Sequence, residues 1–134
     1  MTLYIKRITV EPNSKKEETI ELEGRLLEKI EYRFPAGVLE SVSIQVFYGL
    51  EQISPHPEGE SITGEDETVI DDIYWQFPES KLKLKIKAES IAEDYPHTIT
   101  LRFYVSPYRL PIWVMKIVSL LSDLVERFKK AFGE

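Results

Sequence analysis

An acidic segment is the first group of residues whose types could do chemistry. It runs from Glu58 to Asp72 and contains seven carboxylates. Carboxylate oxygens are ligands that Ca²⁺ prefers, so the segment predicts a calcium loop as one option. The spacing does not match the twelve-residue EF-hand loop, and a solvated loop between two strands is the alternative. The candidate calcium ligands are Glu65, Asp66, Glu67, Asp71 and Asp72.

Four lysines at alternate positions form a second group, at Lys81, Lys83, Lys85 and Lys87. On a strand they share one face, where their ammonium groups could meet phosphate or an acidic partner. The alternative is that lysines protect an exposed sheet face or edge against unwanted pairing. The chain carries a formal net charge of −6, and nucleic-acid binding needs a segregated basic face. We therefore predict no nucleic-acid partner.

Catalytic and metal-binding signatures are missing from the sequence. The chain has no Cys, which excludes disulfides, thiolate zinc sites and Cys nucleophiles. Its two histidines are far apart: His56 lies between two prolines, and His97 begins an alternating segment on its inward face. No H-E-x-x-H, G-x-S-x-G, Walker or Rossmann motif occurs. The sequence predicts a non-enzymatic protein without cofactor or bound metal.

Alternation of apolar and polar residues dominates the chain as far as about residue 105, and this period of two is typical of half-buried strands. The clearest segments are Lys81–Ala88 and His97–Val105. Short turns and no intervening helical pattern indicate antiparallel pairing. The prediction is a mainly β domain at 1–109, an antiparallel two-sheet sandwich that is jelly-roll-like with about eight strands. Further strands are expected near Leu3–Val10, Thr19–Leu22, Ile30–Phe34, Val42–Tyr48, Gln52–Ser54 and Val69–Phe77.

The period changes after Ser106-Pro107, and residues 110–134 are predicted to form one amphipathic helix beginning near Pro111. Its apolar stripe has three readings. It packs on its own sandwich, it forms the seam of a small bundle between copies, or it lies on a membrane surface. Charges at Arg109, Lys116 and Asp123 exclude a transmembrane span. The predicted oligomer or partner contacts are Trp113, Val114, Ile117, Leu121, Leu124 and Phe128.

Composition and the first residues bear on the source and location of the protein. Asn occurs once and Gln three times, while Lys and Glu are abundant, a bias that is typical of hyperthermophiles. No apolar run precedes the charges Lys6 and Arg7, so we expect no cleaved signal peptide. The expected location is intracellular or within a virion.

Four segments carry a resemblance to a known class of proteins. They are Ile30–Gly37, Val42–Gly49, the acidic turn Gly64–Glu67 and His97–Val105. In strand order and spacing, residues 26–105 resemble the small β-sandwich structural proteins of phages and archaeal viruses, of the virion or head-decoration type. The resemblance implies a sandwich fold and a structural role. It does not extend to the C-terminal helix.

Two functions from different classes follow as expectations. The first is a structural or assembly protein that forms homo-oligomeric or lattice contacts, with itself or other subunits as partner. The second is a monomeric carbohydrate-binding module that uses exposed aromatic residues such as Tyr74 or Tyr104, assisted by calcium at the acidic segment.

Overall fold

The computed structural model of the chain describes residues 1–107, 117 and 120–127. Within them lie eight strands and the described part of one helix, α1, namely Ile117 and residues 120–127. The predicted contact residues Trp113, Val114 and Phe128 lie outside the described residues. The strands are β1 (Thr2–Val10), β2 (Lys15–Glu23), β3 (Leu26–Phe34), β4 (Val42–Tyr48), β5 (Glu51–Ser54), β6 (Glu67–Gln76), β7 (Lys81–Ser90) and β8 (His97–Ser106).

The strands form two four-stranded antiparallel sheets that face each other. Sheet A has the order β1-β8-β3-β6 and sheet B the order β2-β7-β4-β5. In each of the pairs β1/β2, β3/β4, β5/β6 and β7/β8, the two strands lie in different sheets. This is the jelly-roll arrangement of two Greek keys. The predicted two-sheet sandwich is confirmed, including the weak strand at Gln52–Ser54.

The core lies between the sheets and is built from the inward positions of the alternating strands. On β7, Leu82, Leu84 and Ile86 are buried, and the intervening lysines point outward. On β8, every second residue from His97 to Val105 is buried. Because neighbouring side chains of a strand point to opposite faces, alternation in sequence becomes one dry face and one solvated face.

Two strands are longer or less regular than their apolar pattern predicts. Strand β2 begins at Lys15 rather than Thr19, and its inward positions include Lys16 and Glu18. On β6, the inward position at Asp71 interrupts the apolar series. In both cases a charged side chain points between the sheets and finds a polar partner there, so the strand continues where its apolar pattern stops.

Candidate functional site

The gap between the edge strands β1 and β2 is closed by polar contacts. Lys6 Nζ of β1 lies 3.1 Å from Glu18 Oε2 of β2, and Lys16 Nζ lies 3.3 Å from Glu18 Oε1. Lys16 also donates to the Thr9 carbonyl at 3.1 Å. At the end of the same gap, the Tyr4 hydroxyl and the Glu23 backbone exchange hydrogen bonds of 3.3 Å. Inward charges on edge strands are a known protection against pairing with other chains.

Glu18 is the electrostatic centre of this closure. Burial acts to raise the pKa of its carboxyl, but hydrogen bonds and charge from Lys6 and Lys16 outweigh burial and hold the pKa below its usual 4.5. A carboxyl with a lowered folded pKa stabilises the fold above its unfolded pKa. That contribution is lost as the pH falls through the folded value.

We expect Glu18→Gln to lower the stability by about 1 kcal/mol near neutral pH, because Lys6 and Lys16 lose their charged acceptor. The Tm of the variant should be about 4 °C below that of the wild type near neutral pH, and this difference should disappear well below about pH 4.5. Thermal unfolding across the pH range checks this. Glu21→Gln on the same strand is the control, since Glu21 and Lys83 are 76% and 68% exposed. A difference in Tm that does not change with pH would refute the role of Glu18.

The opposite gap, between the edge strands β5 and β6, holds a buried polar chain of three residues. Ser54 Oγ donates to Asp71 Oδ2 at 2.5 Å, and Tyr32 Oη lies 2.5 Å from Ser54 Oγ. Since the single serine proton goes to the carboxylate, the Tyr32 hydroxyl must be the donor to Ser54. Burial, together with the charge of Asp71, raises the pKa of Tyr32 above its usual 10.0, so the donor keeps its proton. These three side chains link β3 and β6 of sheet A to β5 of sheet B.

Ser54 does not have the surroundings of a catalytic nucleophile. Its side chain is fully buried, and its hydroxyl donates directly to Asp71 without an intervening histidine. The nearest histidine in sequence, His56, is exposed. The hydrogen bonds of Tyr32, Ser54 and Asp71 instead join the two sheets, and we call these three residues the clasp. The period-two analysis missed this clasp, although the interruption at Asp71 was its signal.

Gln52 organises the loop that follows the clasp. Its side chain is 4% exposed and donates to the carbonyls of Pro55 at 3.0 Å and Glu60 at 2.8 Å. Its carbonyl oxygen accepts from the Gly59 amide at 2.9 Å. With donors and acceptor all engaged, the glutamine fixes the path of residues 55–60 and offers no open group to a ligand.

Four of the five candidate calcium ligands bind groups of the protein itself. Glu65 accepts from the backbone amides of Gly37 and Leu39, the latter at 2.8 Å. Asp66 pairs with Arg33 at 2.8 Å, and Glu67 accepts from the Glu65 amide at 3.2 Å. Asp71 is in the clasp, whereas Asp72 is exposed on β6. In the part of the chain that the structure describes, no three carboxylates or histidines come together as a metal site.

The four lysines of β7 lie on the outer face of sheet B, in the interior of the sheet rather than at an edge. Strand β2 beside them places Glu17, Glu21 and Glu23 opposite Lys87, Lys83 and Lys81. Lys83 pairs with Glu21 at 3.4 Å, and Lys87 lies 4.6 Å over the Phe47 ring. These three carboxylates offset most of the charge of the four lysines, so the basic stripe seen in the sequence is part of a mixed-charge face.

A groove of about 380 Å³ lies beside this face and is lined by residues of β1, β2 and β7. Leu22, Leu82 and Tyr4 are among the residues that line it. The charged residues lining it are two acids and two bases that face each other across β2 and β7: Glu21, Lys83, Glu23 and Lys81. Their balance gives the groove no preference for an anion or a cation.

The outer face of sheet A differs because it exposes large apolar side chains. Leu3 and Ile5 of β1 are each 46% exposed, and Ile70 of β6 is 54% exposed. Strand pairing places Ile5, Arg102, Glu31 and Ile70 in one row across all four strands. We did not predict this face from the sequence. Its signal is the presence of isoleucine and leucine at the outward positions of β1 and β6.

The two tyrosines suggested for carbohydrate binding have different surroundings. Tyr74 is 50% exposed at the end of β6. Tyr104, on the outer face of sheet A, is covered by the Lys29 ammonium at 4.7 Å from its ring centre. A hydrogen bond to Glu31 raises the pKa of Tyr104. Lys29 leaves less of the Tyr104 ring open to a sugar, so Tyr74 is the more exposed of these two tyrosines.

The apolar side chains of α1 that the structure describes are all exposed. The exposed fractions range from 46% to 67% for Ile117, Leu120, Leu121, Leu124 and Val125. At about 100° per residue these five positions lie within roughly 140° of the helix circumference. Ser122, Asp123 and Glu126 occupy the other side. Of the six predicted contact residues, Ile117, Leu121 and Leu124 thus belong to one exposed apolar stripe. Over the described residues, no helix is long and apolar enough to cross a membrane.

No protein-family model matches the chain, and no curated protein matches it. The arguments on function below therefore rest on the surfaces just described.

Proposed function

We propose that this protein is a non-enzymatic structural protein whose copies join in a homo-oligomer or lattice, of the virion or capsid-decoration type and from a hot environment. The observation that carries the proposal is the exposed stripe of α1, formed by Ile117, Leu120, Leu121, Leu124 and Val125. The jelly-roll order supports it, since viral capsid domains share that arrangement. Lectin domains share it too, so the fold by itself does not decide the role.

The stripe favours association for an energetic reason. Burying apolar surface is worth roughly 25 cal/mol per Å², and contiguous exposed apolar patches on soluble monomers are usually interaction sites. Ile117, Leu121 and Leu124 follow one another at steps of four and three, which is the spacing of the seam between packed helices. A second copy of the same helix supplies a matching stripe.

The test is the solution mass of the full chain, measured by light scattering on a sizing column. We expect the wild type to be a defined oligomer and the Leu121→Glu/Leu124→Glu variant to lose the helix contact, with a corresponding fall in mass. Ser122→Glu, which adds a charge to the polar side of α1, is the control and should keep the wild-type mass. A monomeric wild type, or a double variant with unchanged mass, would contradict the role of the stripe.

A further inference from the structure

The outer face of sheet A contains a row of side chains that is complementary to itself. The row reads Ile5 on β1, Arg102 on β8, Glu31 on β3 and Ile70 on β6. Its chemical order is therefore apolar, positive, negative, apolar. We propose that this face binds the same face of a second copy about a two-fold axis that runs parallel to the strands between β8 and β3. The inference deepens the proposed function, on which it rests, by naming a partner and an interface.

The two-fold operation explains why this order matters. Rotation about an axis along the strands exchanges β1 with β6 and β8 with β3, and it leaves each row opposite itself. Ile5 of one copy then meets Ile70 of the other, and Arg102 meets Glu31. Such contacts are isologous, since each is made twice and the dimer is closed. Facing sheets pack about 10 Å apart with their strands nearly aligned, so side chains from the two rows reach each other.

The centre of the neighbouring row fits the same arrangement, whereas at the ends of that row the rotation places Leu3 opposite Asp72. It reads Leu3, Tyr104, Lys29 and Asp72 across the four strands. The same rotation places Tyr104 of one copy opposite Lys29 of the other. These two groups are already compatible within one chain, where the lysine ammonium lies 4.7 Å from the ring centre. The contact between copies thus repeats a pairing that the chain itself makes.

Charge balance lets these central residues be covered. Glu31 is 17% exposed and lies 3.5 Å from Lys29, and Arg102 is its direct cross-strand neighbour. Covering an isolated charge is costly, but a charge that keeps its partner and gains a second one is tolerated. In the dimer the four charges of the first row, Arg102 and Glu31 of each copy, face a charge of opposite sign across the axis.

The face is also large enough. Four strands about 4.8 Å apart, each rising about 3.4 Å per residue over nine residues or so, give a flat area of roughly 600 Å² per copy. Two copies bury roughly 1,200 Å², which exceeds the ~1,000 Å² expected of a specific interface. The outer face of sheet B is different. Among the strand residues described there, no outward side chain is a largely exposed hydrophobic group.

Two single charge reversals test the interface, Glu31→Arg and Arg102→Glu, each made in the full chain that also carries Leu121→Glu/Leu124→Glu. The helix contact then contributes nothing. Each reversal places like charges across the two-fold axis twice, so we expect the dimerisation Kd to rise at least about tenfold. An equimolar mixture of the two should recover dimers, because both cross-axis pairs of the heterodimer are again opposite in charge. Sedimentation velocity measures all three samples.

Rescue by mixing separates an interface from a role within one chain. Arg102 and Glu31 are also neighbours in one sheet, and loss of that pair is not repaired by adding another molecule. Glu17→Arg, on the outer face of sheet B, is the matched control and should leave the dimer unchanged. Single reversals that dimerise like their parent, or a mixture that stays monomeric, would overturn the proposal.

The helix and the sheet face fail in distinguishable ways. If the helix stripe is not a contact, the Leu121→Glu/Leu124→Glu chain has the mass of the wild type and still dimerises through sheet A. If the sheet face is not a contact, that double variant is a monomer before any reversal is made. The latter result overturns the sheet interface and supports the helix contact.

Discussion

Leu101→Ala is expected to lower the free energy of unfolding by about 2–5 kcal/mol. Leu101 is completely buried and lies on β8, which pairs with both β1 and β3 in the middle of sheet A. Its truncation removes the transfer free energy of the lost methyl and methylene groups and leaves a cavity that the two sheets cannot fully close. A loss of this size is a large part of the ~5–15 kcal/mol that holds a domain folded.

Urea unfolding of the full chain, at one fixed chain concentration, measures this loss as a lower midpoint at an unchanged slope. Leu50→Ala is a matched control, because the same side chain is removed from the turn between β4 and β5, where Leu50 is 97% exposed. That variant should stay within about 0.5 kcal/mol of the wild type. If the two variants lose the same free energy of unfolding, the burial of Leu101 does not contribute to stability.

Ser54→Ala is expected to cost about 1–3 kcal/mol, which is large for the loss of one hydroxyl group. The fully buried Tyr32 hydroxyl loses its acceptor, and Asp71 loses a donor. A buried polar group without a partner pays its full desolvation penalty. Tyr32→Phe should cost less, about 0.5–1.5 kcal/mol, because Ser54 keeps its bond to Asp71.

The Tyr32→Phe/Ser54→Ala double variant makes the clasp testable as a unit. Once the tyrosine hydroxyl is absent, loss of the serine no longer leaves it unpaired. We therefore expect the double loss to be smaller than the sum of the two single losses, by about 1 kcal/mol. Urea unfolding of the four proteins gives this coupling energy. Strict additivity would show that the Tyr32 and Ser54 side chains do not act together.

The polar contacts that close the two gaps between the sheets have one structural consequence. The sandwich is closed at β1/β2 by Lys6, Lys16 and Glu18, and at β5/β6 by Tyr32, Ser54 and Asp71. Inward charges at both gaps discourage edge-to-edge pairing with other chains. Two exposed apolar surfaces lie away from these gaps, on the outer face of sheet A and along α1. In our proposals, copies associate through these faces and not through sheet edges.

Much of the fold was predictable because alternation is a local property. The strands β7 and β8, and the inward positions Leu82, Leu84, Ile99 and Leu101, follow directly from apolar residues at every second position. Neighbouring side chains on a strand point to opposite faces, so the pattern itself shows which residues are inside. The short turns and the absence of helical periodicity before Ser106 were enough for an antiparallel sandwich.

What the tertiary structure decided concerns partners from distant parts of the chain. The sequence left two interpretations of the β7 lysines open, a basic binding face or protection of an exposed sheet, and only the pairing with β2 shows glutamates opposite three of them. The sequence predicted Asp71 as a candidate calcium ligand, whereas in the structure its carboxylate accepts the hydrogen bond from Ser54 Oγ. The row formed by residues 5, 102, 31 and 70 exists only because four separate strands pair in one register. Sequence periodicity reports which face a side chain takes, whereas its neighbours across the sheet depend on strand order and register, which are set by the packing of the whole sandwich.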